Sequence, residues 1–358
     1  MTENRMLILA LGKSDGGTAQ YAREIINHTK VKDKIELFVS QQSYHNWDEL
    51  KHIKIFKIPT YTNKIGFIIS TLFIYPCFLF FVFIKLLLNK FDVLYIPYFH
   101  HWEYGVIRLF RLFNKKIVYT VHDGIHHDGE YEVLGQNVML SSIKNSTDVI
   151  FLTNYVMRLV ERKIGEIKWR KYIIPHGLIR YHGLKIKKQI NDIPVILFFG
   201  RIIKYKGVEL LIEAIPKLHV KAKIIIAGKK YYDIKFPDLP LLTVIGKWLT
   251  NDEVVQLINQ ADILVLPYNE ATQSGVITLG IAAHVPIITT DVGGLREQLA
   301  NGGLYVDLNS TAIALTIDNL LTDRTLYTDL QARLKNQADS LQWANIANQI
   351  EQICFSGK

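Results

Sequence analysis

Two cations, Arg201 and Lys206, lie in a short loop after the apolar run Val195–Gly200. The run is predicted to be a buried strand, and the loop ends at Gly207, before an amphipathic helix predicted over Val208–Leu218. A guanidinium can bind a diphosphate through two parallel hydrogen bonds, and an ammonium adds a point charge. Because charged loops are usually only solvated, this loop alone is a weak indication of an anion site.

A second possible anion site is the turn formed by Ser274, Gly275 and Val276. It follows a predicted parallel strand, Ile263–Leu266, and opens a helix predicted over Val276–Ala283. Free backbone amides at a helix N-terminus attract anions, and open parallel sheets bind ligands beyond the carboxyl ends of their strands. A glycine also occurs at this turn in α/β crossovers that bind nothing. Two such loops in one domain favour a diphosphate site over that simpler explanation.

Two segments carry a resemblance to the family 4 glycosyltransferases. Residues 200–215 read GRIIKYKGVELLIEAI and resemble the family signature G-R-x4-K-G-x3-L-I-x-A. Residues 266–297 read LPYNEATQSGVITLGIAAHVPIITTDVGGLRE and resemble its P-S/Y…E…G…P-V-I-A-T-x-V-G-G-x-x-E segment. The resemblance extends across nearly the whole chain. It implies a GT-B fold, an α/β architecture of two Rossmann-like, doubly wound parallel-sheet domains facing each other across a cleft. It also implies retaining transfer from a nucleotide-diphosphate sugar, with no metal ion or other cofactor.

The same resemblance assigns residues in the first half of the chain. His122 and Asp123 follow a predicted strand, Lys116–Val121. In the matching family motif, a histidine lies beside the donor sugar and an aspartate often follows it. Gly16 and Gly17 resemble the family's early glycine loop, which faces the donor, although a flexible turn after a strand would look the same. The resemblance implies that His122 and Asp123 orient the sugar and that the two glycines let the acceptor and the diphosphate come close.

In the second half, the resemblance implies that the loops at Gly228 and Lys247 border the nucleotide base. It implies that Arg201, Lys206 and the amides of the turn beginning at Ser274 bind the diphosphate. These groups would stabilise the charge on the leaving phosphate, which is usually the largest electrostatic contribution to such a reaction. No enzyme nucleophile is apparent, so the departing phosphate itself would deprotonate the acceptor hydroxyl on the same face.

The chain departs from the family at a pair of glutamates. Family members often carry two glutamates separated by seven residues, whereas here Glu270 is followed eight positions later by Thr278. If Pro286 sets the alignment instead, the two family positions fall on Ala271 and Leu279. The carboxylate that usually holds the ribose is therefore absent. Glu270 is expected near the donor sugar, shifted by one position.

At 358 residues, the chain is long enough for two domains. The polar, basic segment Leu178–Ile193 is predicted to separate an acceptor-binding domain, residues 1–185, from a nucleotide-sugar-binding domain, residues 186–339. Strands alternate with helices in the second domain, which predicts a doubly wound parallel sheet. Residues 340–358 resemble the terminal GT-B helix that packs back on the first domain. The strands predicted in the second domain are Val195–Phe199, Lys223–Ala227, Leu242–Ile245, Ile263–Leu266 and Pro286–Thr290.

Basic charge is concentrated in the first half of the chain. Residues 1–193 hold 27 Lys and Arg against 17 Asp and Glu, whereas residues 194–358 hold 15 against 16. No nucleic-acid-binding motif accompanies this charge, so an anionic membrane surface explains it better. The two cysteines lack metal-ligand spacing and favour a reducing compartment, and the first residues lack the apolar core of a signal peptide. These features predict a cytoplasmic protein in peripheral contact with the inner face of the cell membrane, with no nucleic-acid partner.

Further histidines, His101, His126 and His127, lie in loops near His122. None has the helical spacing or the carboxylate partner of a convincing metal site. We interpret them as acceptor contacts or ordinary loop histidines and predict no metal.

Ile65–Ile84 is a run of twenty residues without a charge. It is long enough to span a bilayer, but the segments before and after it look like strands of one sheet, and Pro76 is expected to interrupt it. One or two apolar helices that pack on the sheet and expose a further face to lipid fit the pattern better. An ordinary buried helix is the other possibility. The basic flanks of the run are Lys54, Lys57, Lys64, Lys85 and Lys90.

These observations lead to one principal function and three rivals. The principal function is a retaining glycosyltransferase acting on a glycan or a lipid-linked acceptor in cell-surface polysaccharide synthesis. A nucleotide-sugar epimerase would need paired acid and base residues, and none is located. A pyridoxal-type sugar phosphorylase would need a Schiff-base lysine in a much longer chain. The missing glutamate favours the third rival, a non-catalytic membrane-bound partner protein with a decayed donor site.

Overall fold

The structure, a computed structural model, describes residues 5–13, 17–44, 46–124, 133–165, 170–187 and 189–356. It divides into two compact units, one of residues Met1–His176 with Trp343–Lys358 and one of Gly177–Gln342. Each unit is built on a parallel sheet, of seven strands in the first and six in the second. The predicted α/β class with two parallel-sheet domains is therefore confirmed.

The first unit has the strand order β3-β2-β1-β4-β5-β6-β7. The strands are parallel, but their order runs outward from β1 to one edge and from β4 to the other. The position between β1 and β4 is therefore the topological switch point, where open parallel sheets bind ligands. The strands are β1 (Met6–Ala10), β2 (Ile35–Ser40), β3 (Lys54–Ile58), β4 (Val93–Ile96), β5 (Lys116–Val121), β6 (Asp148–Phe151) and β7 (Arg170–Ile173). The helices are α1 (Gly17–His28), α2 (Lys64–Leu87), α3 (Glu103–Leu112), α4 (Val133–Asn145) and α5 (Asn154–Ile164).

The second unit has the strand order β10-β9-β8-β11-β12-β13, with its switch point between β8 and β11. The strands are β8 (Val195–Phe199), β9 (Lys223–Ala227), β10 (Leu242–Ile245), β11 (Ile263–Leu266), β12 (Ile287–Thr290) and β13 (Gly303–Val306). The helices are α6 (Val208–Ala214), α7 (Asn251–Gln260), α8 (Gly275–Ala283), α9 (Leu295–Leu299), α10 (Ser310–Thr322) and α11 (Arg324–Ser340). The last helix of the chain, α12 (Trp343–Phe355), belongs to the first unit.

Helices cover both faces of the first sheet. Successive side chains of a strand point to opposite faces, so Met6, Ile8 and Ala10 of β1 join the core formed with α1 and α12. Leu7 and Leu9 point the other way and join the core formed with α2 and α3. Burial on both faces explains why the central strands β1 and β4 read as continuous apolar runs in the sequence.

The boundary between the units differs from the predicted one. The first unit ends at His176 rather than at residue 185. Leu178 and Ile179 are buried in the core of the second unit, and the Leu178 amide donates a hydrogen bond to the Leu341 carbonyl in that unit. The segment after His176 looked like a linker because it is polar and basic, but its two apolar side chains anchor it.

Proline determines two further differences between prediction and structure. The helix predicted to reach Leu218 ends as an α-helix at Ala214 and continues as a short 3-10 turn that contains Pro216, which has no amide to donate. The expectation that Pro76 interrupts its apolar run is wrong, because α2 is one helix of 24 residues with Pro76 inside it. Pro76 is exposed, so the carbonyl group that loses its intrahelical donor there lies on the outer side of α2.

Candidate functional site

Lys206 and Ser274, one from each of the two sequence motifs, are connected through a tyrosine. The Lys206 Nζ atom donates a hydrogen bond of 2.9 Å to Tyr268 Oη and lies 4.4 Å from the centroid of the Tyr268 ring. Tyr268 Oη is in turn 3.3 Å from Ser274 Oγ. Tyr268 is buried, whereas Lys206 is half-buried, so the ammonium group is fixed from beneath. The sequence identified both ends of this connection but missed Tyr268.

The loop that carries Lys206 is held against the strand β11 by backbone contacts. Gly207 has a left-handed backbone with φ of 59°, and a Cβ atom on it would lie 1.9 Å from the Pro267 carbonyl oxygen. The Asn269 amide donates a hydrogen bond of 2.7 Å to the Tyr205 carbonyl. Only glycine allows this approach, which explains the glycine that follows Lys206 in the motif.

Arg201 lies two residues beyond the end of the strand β8, at the switch point of the second sheet. Its side chain is half-buried, and its Nη2 atom donates a hydrogen bond of 3.1 Å to Tyr205 Oη. Tyr205 therefore orients the guanidinium from within the same loop. No sequence pattern indicated this role of Tyr205, because a tyrosine between two lysines looks like any solvated loop residue.

The structure corrects the expectation that the Ser274 amide is free. The Ser274 amide donates a hydrogen bond of 2.7 Å to Gln298 Oε1, and Gln298 Nε2 donates one of 2.9 Å to the Ser274 carbonyl. The side-chain amide of Gln298 thus satisfies both backbone polar groups of Ser274. Ser274 is the N-cap residue of α8, as predicted, but its side chain makes no capping hydrogen bond.

Gly275 and Val276 are the first two residues of α8. Amides in the first turn of a helix have no intrahelical acceptor, so these two keep the capacity to bind an anion that Ser274 lacks. Gly275 is exposed, which leaves its amide accessible from solvent. The predicted anion site would therefore begin at Gly275 rather than at Ser274.

The positions expected to carry the second glutamate are buried. Thr278 Oγ1 donates a hydrogen bond of 2.8 Å to the Gly275 carbonyl and accepts one from the Ile179 amide. Leu279 packs in the core of the second unit. Neither residue offers a carboxylate, as the sequence indicated. Glu270 is exposed in the loop after β11, and its role near a donor sugar stays a prediction.

Two residues predicted to border a nucleotide base have structural partners. Gly228 has φ of 150°, and a Cβ atom on it would lie 1.8 Å from the Gly200 carbonyl oxygen, so the ends of β8 and β9 require a glycine there. Lys247 forms an ion pair with Glu253, whose side chain also accepts from the Thr250 amide in the predicted capping box of α7. These contacts do not test base binding, which stays a prediction for both residues.

His122, in the first unit, follows β5 and is buried. Its Nε2 atom donates a hydrogen bond of 2.9 Å to the Pro97 carbonyl, and its ring meets the Tyr21 ring edge-on with centroids 4.6 Å apart. Burial lowers the pKa of His122 to about 4. The imidazole is therefore neutral at physiological pH, with its proton on the Nε2 atom. Asp123, beside it, is exposed.

Of the two glycines predicted to admit substrate, Gly16 lies outside the described residues. Gly17 is the first residue of α1 and is exposed. Within the described part of the chain, no three His, Cys, Asp or Glu side chains form a group that could hold a metal ion. The predicted absence of a metal remains a prediction.

His122 should make the stability of the first unit depend on pH. Its pKa lies below the ordinary value of 6.5, so between pH 6.5 and 4 the unfolded chain binds a proton that the folded chain does not. Stability should then fall as the pH falls, by about 2 kcal/mol between pH 7 and 5. Urea unfolding at pH 7 and at pH 5 would measure this fall in the free energy of unfolding. His122→Gln should remove the part of the fall that His122 causes. Burial also lowers the pKa of His100, to about 3. His100 would therefore contribute the same pH dependence of stability in the wild type and in the variant. Equal pH dependence in wild type and variant would contradict the prediction.

Gly17 allows the substrate-approach prediction to be tested without damaging the fold. A Cβ atom built on Gly17 meets nothing within 4 Å among the described residues. Gly17→Ala should therefore leave the melting temperature nearly unchanged. If the diphosphate and the acceptor must approach this backbone, kcat/KM should fall about 10- to 100-fold, because small displacements of reacting groups are costly. A melting temperature and a kcat/KM both equal to wild type would remove Gly17 from the site.

The second unit matches a family model. Residues 193–323, which contain Arg201, Lys206 and the turn at Ser274, match the model described as Glycosyl transferases group 1. The match to this family is confined to residues 193–323. The glycosyl transferase match lies in the unit that carries both sequence motifs, which agrees with the resemblance read from them.

Two curated relatives with glycosyltransferase in their names are similar to this chain over part of their length. An uncharacterized glycosyltransferase of Methanocaldococcus jannaschii is 30% identical over 46% of this chain and 45% of its own. The capsular polysaccharide biosynthesis glycosyltransferase CapM of Staphylococcus aureus is 31% identical over 40% of each chain. The alignments thus span less than half the length of both relatives.

The fold of this chain resembles solved structures along nearly its whole length. HepE of Anabaena, solved in complex with UDP and glucose, is similar with a TM-score of 0.73 over 99% of this chain and 100% of that one, at 14% identity. Similarity at this level of identity establishes the fold. The chain has the predicted GT-B fold.

Proposed function

We propose that this protein is a retaining glycosyltransferase that moves a sugar from a nucleotide-diphosphate sugar to a glycan or lipid-linked acceptor in cell-surface polysaccharide synthesis. The observation that carries the proposal is the connection from Lys206 through Tyr268 to Ser274, with Arg201 in the same loop. Two cations and the N-terminus of α8 occupy the carboxyl ends of β8 and β11, which suits a diphosphate. CapM, a relative named for capsular polysaccharide biosynthesis, supports the class of product.

In the proposed reaction, the bond between the anomeric carbon and the diphosphate oxygen breaks, and a bond from that carbon to the acceptor oxygen forms. Arg201, Lys206 and the amides of Gly275 and Val276 stabilise the negative charge that develops on the leaving diphosphate. The acceptor hydroxyl gives its proton to the departing phosphate oxygen. Tyr205 and Tyr268 orient the two cations, so the positive charge is in place before the bond breaks.

In the first unit, His122 lies beside the donor sugar and orients it. The Pro97 carbonyl accepts a hydrogen bond from His122 Nε2 and so fixes the orientation of the ring. Asp123 follows it in the chain and contributes to the same contact. The proposed reaction needs no metal ion, because Arg201 and Lys206 neutralise the charge of the diphosphate.

UDP-sugars are the donors we propose to test first. HepE of Anabaena was solved with UDP and glucose, and it shares the GT-B fold of this chain. We propose a cytoplasmic location at the inner face of the cell membrane, in keeping with the basic charge of residues 1–193.

A thermal-shift panel with UDP, GDP, ADP and CMP, repeated on Arg201→Ala, tests the donor site. A ligand that binds only the folded state raises the melting temperature. Stabilisation by one nucleotide that is lost in the variant would support the site and name the donor class. No shift with any nucleotide would favour a non-catalytic protein with a decayed site, the rival that the missing carboxylate at Thr278 or Leu279 supports.

The stereochemistry needs its own measurement. NMR of the product formed from a UDP-sugar and a synthetic acceptor reports the anomeric configuration. Retention of the donor configuration would support the proposed reaction, whereas inversion would refute the retaining mechanism while leaving the donor site intact.

A further inference from the structure

The helix α2 exposes an apolar stripe along its entire length. The exposed residues recur every three or four positions, so they share one side of the helix. With 24 residues, α2 is about 36 Å long. We define the α2 stripe as Ile65, Ile68, Ile69, Leu72, Phe73, Pro76, Cys77, Phe80, Phe81, Ile84 and Leu87. Its large side chains are between 36% and 72% exposed, and soluble monomers rarely expose an apolar patch this continuous.

The opposite side of α2 is packed on the first sheet. Phe78, Val82 and Leu86 are buried in the core with Phe38 of β2. This packing is compatible with lipid contact, because the buried face and the exposed face of α2 are on opposite sides of the helix. The exposure of the α2 stripe rules out the possibility that α2 is an ordinary helix buried all round.

Polar contacts also attach α2 to the helix beside it. Trp102 Nε1 donates a hydrogen bond of 2.9 Å to Thr71 Oγ1, and the Gly105 amide donates one of 3.0 Å to Tyr75 Oη. Because α2 connects β3 to β4, two strands of one sheet, it could cross a bilayer only by leaving these partners. The helix α2 is long and apolar enough to cross a membrane. Its place in the chain, between two strands of one sheet, instead favours an orientation along the membrane surface.

The charges around the stripe match an anionic surface. Lys64 and Lys90 are exposed at the two ends of α2, and Arg108 and Arg111 are exposed on α3, which packs beside it. Leu112 of α3 is also apolar and exposed. Cations around an apolar face are the arrangement of helices that lie in the interface of anionic bilayers.

Lys85, the charged residue within the second half of α2, is turned away from the stripe. Its Nζ atom forms an ion pair with Glu36 and lies 4.6 Å from the centroid of the Phe56 ring. Lys54 also pairs with Glu36, and Lys57 pairs with Asp48. Three of the five predicted basic flanks therefore have carboxylate partners within the protein. The stripe itself is left without charge.

We infer that the α2 stripe is a membrane-binding surface that lies flat in the interface of an anionic lipid bilayer, with α2 parallel to the membrane plane. This inference rests on the proposed function for its biological setting, since it supplies the membrane for a lipid-linked acceptor. The N-terminal end of α2 follows β3 and so lies at the carboxyl edge of the sheet, the edge that also carries His122. A membrane along the stripe therefore reaches the edge at which an acceptor would bind.

Cys77 provides a natural probe for this surface. It is exposed within the stripe, whereas Cys354 is buried, so a thiol-reactive fluorophore on the folded full-length chain should label Cys77. Vesicles of phosphatidylcholine and phosphatidylglycerol should shift the emission to the blue. Nitroxides placed near the lipid head groups should quench it more than nitroxides near the chain ends, because an interfacial helix is shallow.

Labels at the ends of α2 separate a flat helix from a spanning one. In a Cys77→Ser background, labels on Ile65→Cys and Leu87→Cys should both be quenched by shallow nitroxides. A label on Leu315→Cys, exposed on α10 in the second unit, should not be quenched. Deeper quenching at Cys77 than at both ends would indicate a spanning helix and overturn the inference. An absent response at all three α2 positions would overturn it as well.

Charge substitutions provide the binding test. Phe73→Glu should weaken vesicle binding about tenfold or more, because it replaces an inserted phenyl group. Leu315→Glu, a matched change at an exposed apolar position, should have no effect. Arg108→Gln with Arg111→Gln should weaken binding to anionic vesicles and leave binding to neutral ones unchanged. A dimer that dissociates in Phe73→Glu, in a protein that does not bind vesicles, would show that a second copy covers the stripe and would overturn the inference.

Nucleotide binding, measured without lipid, keeps this inference separate from the proposed donor site. Vesicle binding without any nucleotide shift would support the membrane surface and count against the donor proposal. A shift in melting temperature with a nucleotide, without vesicle binding, would support the donor site and overturn the membrane surface.

Discussion

Replacing Arg201 by alanine should lower kcat/KM for the donor sugar by about 10²- to 10³-fold, the usual effect of removing one charge-stabilising donor. Arg201 follows β8 at the switch point of the second sheet, and its guanidinium is oriented by Tyr205 Oη at 3.1 Å. Because the side chain is only half-buried, its removal should change the free energy of unfolding little. The loss should fall mainly on kcat if the guanidinium acts on the leaving charge, and on KM if it only binds the donor.

Two control variants make the Arg201 result interpretable. Lys204→Ala removes an exposed cation from the same loop and should retain nearly full activity. Arg201→Lys keeps the charge but loses the paired hydrogen bonds of the guanidinium, so it should fall between wild type and Arg201→Ala. Near-normal activity of Arg201→Ala, measured by release of the nucleotide product, would refute the proposed diphosphate site. Equal losses in Lys204→Ala and Arg201→Ala would indicate a general effect of loop charge.

Gly228→Ala should lower the free energy of unfolding by about 3 to 5 kcal/mol, which combines unfavourable backbone geometry with a steric clash. The backbone at Gly228 has φ of 150°, a region that L-residues rarely adopt. The added Cβ atom would lie 1.8 Å from the Gly200 carbonyl oxygen, so β8 and β9 would have to separate at their carboxyl ends. Urea unfolding monitored by circular dichroism would measure the loss.

Gly17→Ala is the matched control for Gly228→Ala, because a Cβ atom on Gly17 has open space. Its unfolding free energy should stay within about 1 kcal/mol of wild type. A Gly228→Ala protein with the same unfolding midpoint as wild type would contradict the packing argument and return Gly228 to a role in ligand binding alone. A destabilised Gly228→Ala protein that loses nucleotide binding would not identify a base contact, because Gly200 and Arg201 would move with it.

Much of the second unit was predictable because its local patterns are strong. The strands β8, β9 and β11 are largely buried and read as short apolar runs, and they have the predicted bounds. The partly exposed edge strand β10 also has its predicted bounds. The edge strand β13 was missed, because four residues with a glycine give little pattern. Two prolines with the same chemistry had different outcomes. Pro216 ends an α-helix, whereas Pro76 lies inside one, and only packing and exposure separate the two cases.

By itself, the sequence determined the α/β class, the two sheets and the cations of the candidate site, because residue type and spacing carry that information. The tertiary structure decided which groups are available. It joined Lys206 to Ser274 through Tyr268, and it occupied the Ser274 amide with Gln298, 24 residues further along the chain. It also decided that one side of α2 stays exposed. Hydrogen-bond partners and burial depend on residues distant in sequence, which no local pattern specifies.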